Sequence, residues 1–149
     1  WTVAKKSNLD LAKAYKGIAV SSGNSFVHET ESQVILNGSY NINFTMDLVL
    51  KDTGLFDNLA KKLNAGLEIS PKIVDIFKDG KKKYGSRAWS SMIVKRLEEF
   101  NNIDFRADGF PEELTDNEPE EKGYEIWFTK LPCLDKFYKI THFNNIINI

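Results

Sequence analysis

Five cations stand against one anion in Lys78-Asp-Gly-Lys-Lys-Lys-Tyr-Gly-Ser-Arg87. Lysine ammonium groups and an arginine fork in so short a span suit a polyanion, so Lys78, Lys81, Lys82, Lys83 and Arg87 are the candidate polyanion-binding residues. Glycines bracket the run at Gly80 and Gly85, which predicts a loop feeding a helix N-terminus, where unpaired N–H groups favour an anion. Tyr84 offers a ring on which a base could stack, as do Trp127 and Tyr138 further on. The spacing matches neither GxxxxGK[ST] nor GxGxxG, so the run is not a known phosphate cradle, and its competing reading is a solvated loop.

A second block carries the opposite sign. Between Asp108 and Lys122 seven anions face one cation. Glu112, Glu113, Asp116, Glu118, Glu120 and Glu121 form a candidate surface for a basic partner; their order is not that of a calcium-binding loop. The near-neutral total of −1 therefore hides a dipolar surface, which bears on partner choice and association rate rather than on fold.

Two histidines complete the inventory. His28-Glu-Thr30 has the His-x-Thr form of a class of phosphodiesterases that pairs two such motifs around one phosphate. The resemblance extends over these three residues, and His142-Phe-Asn144 lacks the hydroxyl partner. His28, Thr30 and His142 are accordingly the weak catalytic candidates, able to do acid–base work only if the two rings converge. Cys133 is the sole cysteine, so neither an internal disulfide nor a multi-cysteine zinc site can form, and a reducing compartment is expected. Neither a metal nor a cofactor is expected from these residues.

The elements that would position these groups read as follows. Ser7-Asn-Leu-Asp10 has capping-box spacing and opens a short helix that Gly17 is placed to end. Residues 26–36 and 39–51 predict a β-hairpin, because Tyr40, Ile42, Phe44, Met46, Leu48 and Leu50 alternate with polar neighbours. A three-residue Leu36-Asn37-Gly38 turn sets His28 opposite Met46. Helices are expected over 55–64, from Ser70-Pro71 to Phe77, and over 87–100 with Trp89, Met92, Ile93, Leu97 and Phe100 as the apolar stripe. A short strand is expected at 103–106, a long acidic loop at about 108–122, and strands at 124–131 and 136–143.

Length and composition complete the expectation. A chain of 149 residues with 42% hydrophobic content suits a single domain spanning 1–149 with a real core, and no apolar run reaches the length of a membrane span. Lysine outnumbers arginine 17 to 3, a bias typical of AT-rich coding in phages, viruses and low-GC bacteria. The expected architecture is α+β: hairpins at about 26–51 and 124–143 build one antiparallel sheet, with three to four helices packed on one face. The expected role is a non-catalytic binding or assembly protein of phage or viral type, cytoplasmic or virion-associated, acting on a protein partner or a second copy through charged surfaces. The alternatives are a single-stranded nucleic-acid binder using 78–87 and the exposed aromatics, and a phosphodiester-cleaving enzyme using His28 and His142.

Overall fold

Two helix starts in this chain are set by short polar side chains. Asp10 accepts the Lys13 N–H and opens α2, and Ser25 accepts the His28 N–H and opens α3. In the computed structural model, which describes residues 1–114 and the backbone pairs 126–127 and 139–140, the order is α1 (Thr2–Lys6), α2 (Leu11–Ala19), α3 (Phe26–Asn37), α4 (Met46–Lys62), α5 (Ser70–Tyr84), a 3₁₀ turn (Ser90–Val94), α6 (Lys95–Asn101), β1 (Ile126–Trp127) and β2 (Lys139–Ile140).

The expected sheet-plus-helix architecture is thereby corrected: residues 1–114 are helical and contain no strand. The hairpin expected over 26–51 folds instead as α3, a loop and the first turns of α4. The period-two alternation of 40–50 spans a loop and a helix start, and tertiary packing overrides it. Over the longer window, Met46, Val49, Thr53, Asp57 and Ala60 recur at helical spacing on the covered side of α4. Gly38 is left-handed, with φ of 98°, but as the C-cap of α3 rather than in a hairpin turn. The capping box at Ser7 yields to Asp10, and Gly17 lies inside α2 instead of ending it. The expected helix over 87–100 is split into the 3₁₀ turn and α6, and 103–106 forms no strand.

Beyond residue 114, Ile126 pairs with Ile140 and Trp127 with Lys139, antiparallel. The remainder of the 124–143 segment lies outside the described residues.

The core gathers at one end. Leu11, Ile35, Leu36, Tyr40 and Phe105 are buried together, with Trp1, Tyr15, Trp89, Met92 and Phe110 packed around them. Into this core the chain inserts a polar knot. Glu98 accepts from the Tyr40 hydroxyl, from the Phe105 N–H at 2.8 Å and from Arg106 Nη1 at 3.0 Å, while Arg106 Nη2 donates to the Tyr40 oxygen at 2.7 Å. Both oxygens of the buried carboxylate thus accept hydrogen bonds, which is what allows the charge to be buried. Burial, followed by the hydrogen bond to Glu98, pushes the Tyr40 hydroxyl up to about 12. Gly38 makes room for the arginine: a Cβ there would stand 2.9 Å from Arg106 Cζ and closer still to Nε.

Candidate functional site

The second end of the molecule is built by α4 and α5, and two contacts fix their separation. Gly80, buried in the middle of α5, lets that helix approach so closely that a Cβ would stand 2.5 Å from Ile93 Cδ1 and 3.4 Å from Met46 Sδ. Towards the connecting loop, Asp57 holds both helices: it pairs with Lys61 Nζ at 2.7 Å, and Ser70 Oγ donates to it at 3.4 Å. The hydrogen bond from Lys61 keeps the Asp57 carboxyl below the ordinary range.

Asp52, Thr53 and Phe56 of α4, the 66–69 loop, and Ser70 and Ile73 of α5 enclose a cleft of about 590 Å³. Its volume falls within the range of small-molecule sites, and its walls are mainly apolar. Phe56 is 58% exposed and Ile69 69%, so the walls face outward rather than into a core. Lys51 Nζ lies 3.3 Å from Asp52 Oδ1 and brings a cation to the rim; Asp52 and Glu68 bring carboxylates.

A second cavity of about 600 Å³ runs past Lys5, Glu98, Glu99, Asn102, Asp104 and Arg106. Its charges neutralise one another: Lys5 pairs with Asp104 at 2.8 Å, Arg106 with Glu98, and Lys83 with Glu99. That leaves little charge to offer a ligand.

The residues singled out in the sequence are dispersed. Lys78, Lys81, Lys82 and Lys83 lie on the last two turns of α5, not on a loop before a helix, because Gly80 serves close packing and the helix continues to Tyr84. Lys78 pairs with Asp75 at 3.1 Å, and Lys83 and the Tyr84 hydroxyl converge on Glu99. Arg87 reaches Asp47 at 3.5 Å. Lys81 and Lys82 are exposed beside them.

His28 is a packing residue on α3. Its ring stacks on Tyr15 and Trp1 with centroids 4.8 and 5.8 Å apart, Nε2 lies 3.0 Å from the Tyr15 carbonyl, and Ser32 Oγ lies 3.3 Å from Nδ1. A proton on Nε2 would be donated to the Tyr15 carbonyl, and in the neutral ring Nδ1 could then accept from Ser32. Thr30 donates to the Phe26 carbonyl one helical turn back. Glu112 and Glu113 bind the 39–41 loop, through the Glu112 carbonyl to Ser39 Oγ and Glu113 Oε1 to Asn41 Nδ2. His142, Tyr138, Asp116, Glu118, Glu120 and Glu121 lie outside the described residues; of Trp127 only the backbone pairing with Lys139 is described.

Sequence reasoning missed the cleft. Its signal was a surplus of large apolar residues: Leu55, Phe56, Leu59, Leu63, Leu67, Ile69, Ile73 and Ile76 are more than one helix-to-helix seam can cover, and all remain exposed.

A helical unit with an open, small-molecule-sized cleft is the class that fold and site define. Residues 1–97 match the family described as the NAD-binding domain of NADP-dependent 3-hydroxyisobutyrate dehydrogenase. That stretch is about two-thirds of the chain and contains α1 to α5 and the whole cleft, and the chain belongs to this family. No curated protein and no solved structure matches it. Membership overturns the expected non-catalytic assembly role of phage or viral type and points to a dehydrogenase-like function. It lends nothing to the nucleic-acid reading, whose loop is a helix end with its charges partly paired, nor to phosphodiester cleavage, since the His28 ring is held between two aromatic rings.

The residues present fit part of a dinucleotide. Phe56 can face a heteroaromatic ring, Asp52 and Glu68 can accept ribose hydroxyls, and Lys51 can meet one phosphate oxygen. A pyrophosphate cradle of backbone N–H groups is missing among the described residues, and the helix starts show why. At α2 and α3 the caps Asp10 and Ser25 take up the Lys13 and His28 N–H groups, and at α4 Met46 and Asp47 donate to the Ala88 and Ser86 carbonyls. Pro71 removes a donor at α5.

Proposed function

We propose that this chain works in a pyridine-dinucleotide-dependent dehydrogenase of the 3-hydroxyisobutyrate type, with the α4/α5 cleft as the surface that meets the nucleotide. The observation that carries the reading is the position of the cleft: every residue that lines it falls within the matched stretch 1–97. When bound, the cofactor supplies hydride chemistry; the helices supply a wall and an orienting cation. Phe56 gives a flat apolar face and excludes water from one side of a ring. Lys51 sits one residue from Asp52 on α4, held near the rim by that carboxylate, and can exchange it for a phosphate oxygen.

Titration of the full chain with NADH, followed by calorimetry and by energy transfer from tryptophan to the reduced nicotinamide, tests this. Binding of NADH or NADPH is expected, weakened about tenfold by Phe56→Ala through loss of ring stacking. Lys51→Ala is expected to weaken it about threefold and to flatten its salt dependence. A chain that binds neither nucleotide at concentrations of about a millimolar ends the proposal.

A further inference from the structure

The side of α4 turned away from its covered face carries an apolar stripe of its own. Met46, Val49, Thr53, Asp57 and Ala60 take the covered side of the helix, whereas Asp52, Leu55, Leu59 and Lys62 recur at i, i+3, i+7 and i+10 on the opposite side. That is the spacing of a helix-to-helix seam. Leu55 is 64% exposed and Leu59 39%, and Leu63, at 42%, extends the stripe past the last turn. A helix that is apolar on two sides has one of them left over for a partner. We infer that this partner is a second copy of the chain, docked α4 against α4 as an antiparallel, two-fold pair. The inference goes beyond the function proposed above and does not depend on it, because the cleft opens on the flank of the seam, between Phe56 and Ile73.

Charge sets the direction of the pair. Asp52 and Lys62 close the seam at its two ends with opposite signs, and the two leucines lie between them. With the two-fold axis level with Asp57, Leu55 meets Leu59 of the second copy and Asp52 meets Lys62 of the second copy, and each contact occurs twice. A parallel pair would instead set Asp52 on Asp52 and Lys62 on Lys62. Both end groups are available. Lys62 is exposed and makes no ion pair among the described residues, and Asp52 holds Lys51 at 3.3 Å in a surface contact that costs little to exchange. Leu55, Leu59, Leu63, Phe56 and the groups at the seam ends would bury roughly 500 Å² on each copy, about 1,000 Å² in all, which reaches the lower limit of a specific interface and suits a dimer that dissociates readily. An anionic lipid surface fits the stripe less well, because the carboxylate of Asp52 stands within it.

Sedimentation equilibrium of the full chain at low salt, from about 5 μM to about 1 mM, tests this: a monomer–dimer equilibrium is expected, with a dissociation constant on the order of 0.1 mM. Leu55→Lys should weaken the dimer at least about tenfold. Circular dichroism should show its helix content unchanged, because the side chain stands in solvent. Asp52→Lys and Lys62→Asp each place like charges at both ends of the seam, and each should weaken the dimer about tenfold. Combining the two should restore the wild-type constant to within about threefold, which reads out the antiparallel register while leaving every leucine in place. A chain that stays monomeric at about 1 mM overturns the inference. A dimer indifferent to Leu55→Lys, or one that the combined charge exchange fails to restore, overturns it as well. A monomeric chain whose leucines capture vesicles of anionic phospholipid gives the stripe to a lipid surface, and the second copy is ruled out.

Discussion

The two ends of this molecule are built on opposite principles. Around Tyr40, Glu98 and Arg106 the chain buries a charge and satisfies it with three donors, and Gly38 is stripped of a side chain to let the arginine pass. Between α4 and α5 the chain leaves large apolar side chains in water, while Gly80 and Asp57 help to tie the helices together. Interior packing maximises contact and hydrogen bonding, whereas a binding wall must keep its contacts unmade until a ligand arrives. The difference separates the part that holds the fold from the part that awaits a partner molecule.

Substitutions at the two ends should therefore divide between stability and binding. The largest loss of stability is expected from Glu98→Ala, which strands Arg106 and the Phe105 N–H together; about 3 kcal/mol should disappear in urea unfolding, with Arg106 partly rescued by water. Gly80→Ala should cost about 1–2 kcal/mol, because the clash with Ile93 exceeds the gain in helix propensity, and Ile93→Val in the same chain should return part of it.

Tyr40→Phe comes next, at about 1 kcal/mol near neutral pH. Its pH signature is sharper. The Tyr40 hydroxyl rises from 10.0 to about 12 on folding, so its contribution is complete below about pH 10 and is lost as pH rises through about 12. Alkaline unfolding of the wild-type chain should lose this step in the variant. The smallest effect on stability belongs to Phe56→Ala, at most about 0.5 kcal/mol for so exposed a ring, although the same change is expected to have the larger effect on nucleotide binding. If Phe56→Ala unfolded the protein and left binding intact, the division of labour between the two ends would collapse.

Parts of this arrangement were legible from residue order alone. The helix opening at Ser70-Pro71 and the apolar face of Leu55, Phe56, Leu59 and Leu63 follow from the chemistry of proline and from helical periodicity. The segment 40–50 misleads because its apolar residues alternate over a stretch too short to separate a strand from a loop running into a helix. The basic run misleads for a related reason: glycine reads as a breaker, and nothing in the neighbouring residues reveals that Gly80 lies against Ile93 and Met46.

What the amino-acid order determined is local: capping side chains, the left-handed turn at Gly38, and the charge on each segment, all governed by atoms a few residues apart. Only the tertiary structure decided which apolar faces are covered and which stay open, and which carboxylate is buried. Glu98 and Glu99 are neighbours in sequence, yet one meets Tyr40, Phe105 and Arg106 in the core and the other meets Lys83 at the surface. Their fates differ because burial is set by partners contributed from distant points along the chain, and periodicity within one segment does not encode them.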